Sequence, residues 1–165
     1  VAAIGDGGLD LLVNNAGSLG PSPLPRLVEI EPANLLDLFD TNTFAPLSLF
    51  RALLAPLERG RGVVVNISSD AAIEAYRGWG GYGASKAALD QISKVLATEH
   101  PELAIYAFDP GDMRTDMHQA AFPGEDISDR PSPESVVPSL MRLIELRPPS
   151  GRYSGTQFSN SPLLR

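Results

Sequence analysis

A chain of 165 residues, 43% of them hydrophobic, is long enough for one buried core, and no shift in composition divides it in two. Twenty acidic against 13 basic residues give a formal charge of −7 without any Lys/Arg stripe to meet a phosphate backbone, which excludes nucleic acid as the expected partner. With no cysteine, two histidines lacking metal-ligand spacing, and no apolar run near the roughly 18 to 20 residues of a membrane span, a metal-free, soluble, cytoplasmic protein is expected.

The chain opens at Val1, only a few residues before a first strand, so it reads as starting in the middle of a domain. That strand is the run DLLVN at residues 10–14, and a second, GVVVNIS, occupies residues 62–68. Both are short and continuously apolar, as strands covered on both faces of a parallel sheet are. Between them residues 32–57 carry Leu35, Leu36, Phe39, Leu47, Phe50, Leu53, Leu54 and Leu57 at helical spacings. A second helix is expected over residues 81–100, ended by Pro101, and a third strand, LAIYAFD, over residues 103–109. Residues 112–131 are rich in Met, Asp, Gly and Pro and read as a mobile flap. Ser132, Pro133 and Glu134 then open a third helix with a serine cap, and residues 152–154 form a last short strand.

Strands alternating with helices in this order predict an α/β fold, a Rossmann-like doubly wound parallel sheet. Ligands of such sheets sit beyond the carboxyl ends of the strands. Asn14, Ser68, Ser69 and the run Asp109-Pro110-Gly111 all fall there.

The strongest chemical signal is Tyr82-Gly83-Ala84-Ser85-Lys86. A tyrosine and a lysine four apart on a helix share one face, and an ammonium beside a phenol is expected to lower its pKa from about 10 toward a working range for a general acid or base. Ser69 ends a buried strand 13 residues earlier, where its hydroxyl can bond the same substrate oxygen, while Ser68 is expected to point elsewhere. Asn42 lies four residues before Pro46. Proline has no N–H to give the Asn42 carbonyl, so the helix is expected to kink there and the free carbonyl to hold a water that relays protons to solvent.

Asn14-Asn15-Ala16-Gly17, Asn42, Asn66-Ile67-Ser68-Ser69, Tyr82 to Lys86 and Pro110-Gly111-Asp112-Met113-Arg114-Thr115 together resemble, in order and spacing, the motifs of the short-chain dehydrogenase/reductases. The run Ser68 to Ala72 with Trp79 is most similar to the sepiapterin reductase and benzil reductase branch. The resemblance implies an oxidoreductase that reduces a carbonyl or oxidises an alcohol by hydride transfer with NAD(P), NADP(H) being favoured. It implies that Tyr82 is the acid/base, that Lys86 lowers its pKa and binds the nicotinamide ribose, that Ser69 orients the carbonyl, and that Asn42 anchors a water. Asn14, Ala16 and Gly17 match the turn toward the adenosine side, and Pro110, Gly111, Met113 and Thr115 match the segment that grips the nicotinamide. Trp79, Tyr76 and Met117 are candidate walls of a substrate pocket, and His118 is expected to be solvated. The partners implied are a small carbonyl or alcohol substrate and, through the long helices, a second copy in a homodimer or homotetramer.

The chain departs from the family in lacking its glycine-rich turn. The run Gly5-Asp6-Gly7-Gly8 has no strand before it and is not a phosphate cradle. One partial domain over residues 1–165, the catalytic and carboxyl-terminal part, is therefore expected, with one flank of the core uncovered. The alternative is a truncated, inactive chain that associates with intact family members.

Overall fold

The computed structural model describes residues 7–158, so Val1, Gly5 and Asp6 lie outside the described residues. Four parallel strands, β1 (Leu11–Asn14), β2 (Val63–Ile67), β3 (Ala104–Asp109) and β4 (Gly151–Ser154), lie in that spatial order. Their register aligns the carboxyl ends, with Asn14 beside Asn66, Asn66 beside Ala107, and Asp109 beside Ser154.

The two-residue alternation of strands divides the core into two layers. Val64 and Ile105 face one side of the sheet, where they pack with Phe50 and Leu57 of α2 (Ala45–Gly60) and Leu96 of α3 (Gly80–Glu99). Val63, Val65, Tyr106 and Phe108 face the other side and pack against Leu143. Helices thus cover both faces, as a doubly wound sheet requires. β1 forms one edge, and its Leu11 and Val13 are exposed.

The expected first helix is interrupted. It consists of α1 (Pro32–Phe39), a π-helical turn over Asp40–Phe44, and then α2. The reason is Pro46: with no amide to return to Asn42, the chain widens by one residue and Ala45 N–H bonds the carbonyl of Asp40 instead. A kink was expected at Asn42, and the structure has a π turn there instead. The segment 112–131 is also more ordered than expected. It contains α4 (Asp116–Ala121), capped by the Thr115 side chain, which accepts a bond from His118 N. Arg114 N donates to the carbonyl of Pro131, and Arg130 lies 3.7 Å from Asp112, so the two ends of the segment close on each other. Ser132 makes no side-chain cap bond, and a short 3-10 turn over Pro133–Val136 leads into α5 (Val137–Leu146).

Candidate active site

The carboxyl ends of β2 and β3, the first turns of α3 and the start of α4 enclose a cavity of about 270 Å³. Ser69, Tyr82 and Lys86 all line it. So do Gly17, Pro110, Gly111, Met113, Thr115, Trp79 and Met117, whereas Asn14 and Ala16 stand outside it.

Two features of α3 aim its first turns at the strand ends. Tyr82 and Lys86 occupy one face a turn apart, and both are buried. Gly83 lets that face come close: a Cβ there would lie 2.5 Å from the carbonyl oxygen of Ala71, in the turn that follows Ser69. Gly83→Ala is therefore expected to push α3 away from Ser69 and to cost about 2–3 kcal/mol, as overpacking of a tight contact does. Chemical denaturation of the variant checks this, and an unchanged midpoint would show that the contact is slack.

Asn42 is fully buried and reaches two elements. Its Nδ2 donates to the Ser18 carbonyl at 2.8 Å and to Ser85 Oγ at 2.9 Å, while its Oδ1 accepts from Ser18 N at 2.7 Å. Its neighbour Thr43 donates to the carbonyl of Ser85, and Ser85 Oγ donates to the carbonyl of Tyr82. The π turn thereby grips α3 at Ser85, the residue before Lys86. Ser85 has a role here that the sequence does not announce, since its partners lie more than 40 residues away.

The strand-end asparagines form a second tie. Asn14 Nδ2 donates to Asn66 Oδ1 at 2.7 Å, Asn66 Nδ2 donates to Ser93 Oγ at 2.8 Å, and Ser93 donates to the Leu89 carbonyl. Three elements, β1, β2 and α3, are locked together beneath the cavity. Asn14 Oδ1 is buried with no hydrogen-bond partner among the described residues.

Ser69 caps a short turn, accepting from Ala71 N and donating to Asp70 Oδ1 at 3.0 Å. It also lies within hydrogen-bonding reach of the Tyr82 phenol, which favours the ionised form of that phenol. Burial outweighs this contact, and with the nearby carboxylates of Asp109 and Asp70 it pushes the phenol up to about 12. The phenol was expected to be brought below its ordinary value by Lys86, and its net shift is instead upward, because burial dominates. Lys86 Nζ donates to the carbonyl of Ile67 at 2.8 Å and lies 5.6 Å from the centre of the Tyr82 ring, over its face. Burial also acts on the amine, bringing Lys86 down to about 8 against the opposing pull of Asp90. The pair thus holds a firmly protonated phenol beside an ammonium that is easily neutralised.

Some residues differ from their sequence reading. His118 is not solvated: because residues 116–121 form a helix, its side chain is only 10% exposed, packs on Phe122 at 4.9 Å, and keeps Nε2 without a partner among the described residues. Tyr76 is no pocket wall, since it is exposed and donates to Asp70 Oδ2. Trp79 does line the cavity, edge-on to Tyr82 at 5.7 Å. Ser68, expected to point elsewhere, lines the same cavity as Ser69, and its hydroxyl lies close enough to the Asp90 carboxylate to favour that group's ionised form.

Gly17 and Gly111 bring bare backbone to the cavity. A Cβ on Gly17 would lie 3.4 Å from Asn42 Oδ1 and 3.5 Å from Lys86 Nζ, while Gly111, at φ +78°, has nothing within 4 Å of its Cβ position. Among the described residues no helix is long and apolar enough to cross a membrane.

A model of the short chain dehydrogenase family matches residues 2–126. Sepiapterin reductase of Xenopus tropicalis is 32% identical over 157 residues, covering 93% of this chain and 56% of that protein. Oxidoreductase YIR035C of Saccharomyces cerevisiae is 40% identical over 160 residues, covering 97% of this chain and 58% of that protein. Among solved structures, a short chain dehydrogenase from Escherichia coli CFT073 complexed with NADPH superposes with a TM-score of 0.85 at 31% identity, over 93% of this chain and 65% of its own. The chain thus spans between half and two thirds of the length of these relatives. Motif order, a parallel sheet with its polar residues at one end, and sequence similarity over most of its length agree, and the chain belongs to the short-chain dehydrogenase/reductase family of oxidoreductases.

Proposed function

We propose that this chain is the catalytic and carboxyl-terminal part of a single Rossmann-like domain that reduces a carbonyl compound, or oxidises the matching secondary alcohol, with NADP(H). The observation that carries this reading is that Ser69, Tyr82 and Lys86 share one small cavity at the strand ends. The NADPH bound by the E. coli CFT073 enzyme and the reductase name of the Xenopus relative support the choice of cofactor and of direction.

The residues fit such a cofactor. Lys86 Nζ, beside the bare backbone of Gly17, would hold the ribose hydroxyls, and the Pro110-Gly111 turn, Met113 and Thr115 would hold the nicotinamide. Asn14 and Ala16 would support the turn toward the adenosine side rather than line the cavity. The bound dinucleotide supplies or accepts the hydride.

Tyr82 Oη gives its proton to the substrate oxygen as negative charge develops there, and Ser69 Oγ donates a hydrogen bond to the same atom. The ammonium of Lys86 stabilises the phenolate left behind. Asn42 positions both, through Ser18 on the cofactor side and Ser85 on the catalytic helix. Its main-chain carbonyl, which Pro46 cannot bond, is the anchor for a water that returns a proton to Tyr82. Trp79 and Met117, with Phe122 tilted against the indole at 6.1 Å, favour a flat, apolar substrate body.

The native protein mixed with NADPH and an aromatic diketone is expected to consume the cofactor, followed as the loss of reduced nicotinamide absorbance. Cofactor that binds but is never oxidised across a panel of ketones and diketones would refute the reading.

A further inference from the structure

One side chain outside the family motifs ties together three elements that frame the proposed site. Arg152, on β4, sends Nη2 to the carbonyl oxygen of Ser69 at 2.8 Å and to Asp109 Oδ2 at 3.0 Å, and Nε to Asp90 Oδ2 at 3.0 Å. Ser69 ends the approach from β2. Asp109 ends β3 and uses its other oxygen to accept from Gly111 N at 2.9 Å, which shapes the Pro110-Gly111 turn. Asp90 lies one turn of α3 beyond Lys86. A guanidinium presents donors from separate nitrogens in one rigid plane, a spread that the single nitrogen of an ammonium cannot reproduce.

The charges make the contact more than a tie. Asp90 and Asp109 have side chains only 16% and 11% exposed, and each raises the proton affinity of a group in the site: Asp90 that of Lys86, Asp109 that of Tyr82. Arg152 lies between the two carboxylates, and its side chain is 26% exposed. The other charged or titratable groups near these carboxylates and the catalytic pair are Asp70, Asp112 and His118, which line the cavity from the turn after β2 and from the segment after β3, and Lys94, one turn of α3 beyond Asp90, which lines a groove with Asp90 and Arg152. None of them is bonded to Arg152.

We propose that Arg152 is a positioning residue of this site: by binding the Ser69 carbonyl together with the carboxylates of Asp109 and Asp90, it fixes the Ser69 hydroxyl against Tyr82 and sets the charge felt by the tyrosine and lysine. The catalytic half of this inference rests on the reductase reading above. The electrostatic half does not.

The test uses the native protein, Arg152→Met and Arg152→Lys, with a thermal melt to establish that each variant is folded. In a 13Cε-lysine NMR titration the Lys86 resonance is assigned by its loss in Lys86→Arg. In Arg152→Met the Lys86 midpoint is expected to rise from about 8 by roughly one pH unit, because Asp90 loses its counter-charge. NADPH-dependent kcat is expected to fall on the order of 10- to 100-fold, with KM for NADPH within about threefold, as expected when reacting groups lose alignment while cofactor binding persists. Arg152→Lys is expected to restore the midpoint but only part of kcat. A folded Arg152→Met protein with an unmoved Lys86 midpoint, or with native kcat, overturns the inference. Should Arg152→Met unfold, Asp90→Asn is read instead, and it must lower the Lys86 midpoint. If the native protein itself leaves NADPH unconsumed, the reductase reading fails and the Lys86 midpoint alone decides the role of Arg152.

Discussion

Tyr82→Phe is expected to lower kcat for carbonyl reduction by about 10³-fold or more while leaving the affinity for NADPH nearly unchanged, in line with the loss of a general acid. The expectation follows from where the proton resides. Burial holds the phenol at about 12, so in the free protein it carries its proton throughout the physiological range and is a donor waiting for a base. A ketone is too weak a base until hydride arrives at its carbon, at which point the oxygen becomes an alkoxide and takes the proton. The substitution removes one oxygen and keeps the ring, which packs edge-on against Trp79 at 5.7 Å, so the fold should persist. Stopped-flow measurement of NADPH oxidation together with fluorescence titration of NADPH separates the two effects. A phenylalanine variant with near-native turnover would remove Tyr82 from the chemistry altogether.

The same residue shows what a sequence conveys about a site and what it leaves out. The identity of Tyr82 and Lys86, their spacing and their place after a strand-end serine are local features, and the structure brings all three to one cavity. The strands were equally legible, because runs such as Val63 to Ile67 are buried on both faces and show it in their composition. What the sequence does not contain is environment. The direction of the tyrosine's shift depends on burial and on Asp109, which arrives from another strand, and the lysine's contact with the Ile67 carbonyl places its charge over the ring instead of at the hydroxyl. Long-range partners escaped for the same reason. Arg152 meets Ser69 across 83 residues, and Ser85 meets Asn42 across 43. His118 was misread because a helix of six residues, started by one threonine cap, lies inside a stretch whose glycines and prolines suggest none. Pro46 was legible as a disturbance, but whether a helix answers a missing amide by bending or by widening depends on what it packs against, and here Asn42 and Thr43 both bond α3.

Lys86→Met is expected to abolish most activity and also to change how stability depends on pH, which makes it the most informative single substitution. The amine is held near 8 in the fold, against about 10.5 in the unfolded chain. Between those values the unfolded chain binds the proton and the folded chain does not, so raising the pH from about 8 to 10 stabilises the native protein. The slope is about 1.4 kcal/mol per pH unit for one proton. Below about pH 8 both states are protonated, and the fold carries the full cost of a buried ammonium. The Met variant has no such group, so the difference in unfolding free energy between it and the native protein should change with that slope from about pH 8 to 10 and be flat below. Above about pH 10 the difference levels off, because the unfolded lysine, with its ordinary value of 10.5, then loses its own proton and both states are neutral. Urea denaturation of both proteins at a series of pH values gives the difference directly. A pH-independent difference across that window would mean that Lys86 keeps an ordinary amine in the fold. The burial that tunes it, and with it the account of a readily neutralised ammonium beside a protonated phenol, would then be wrong, whatever the activity of the variant.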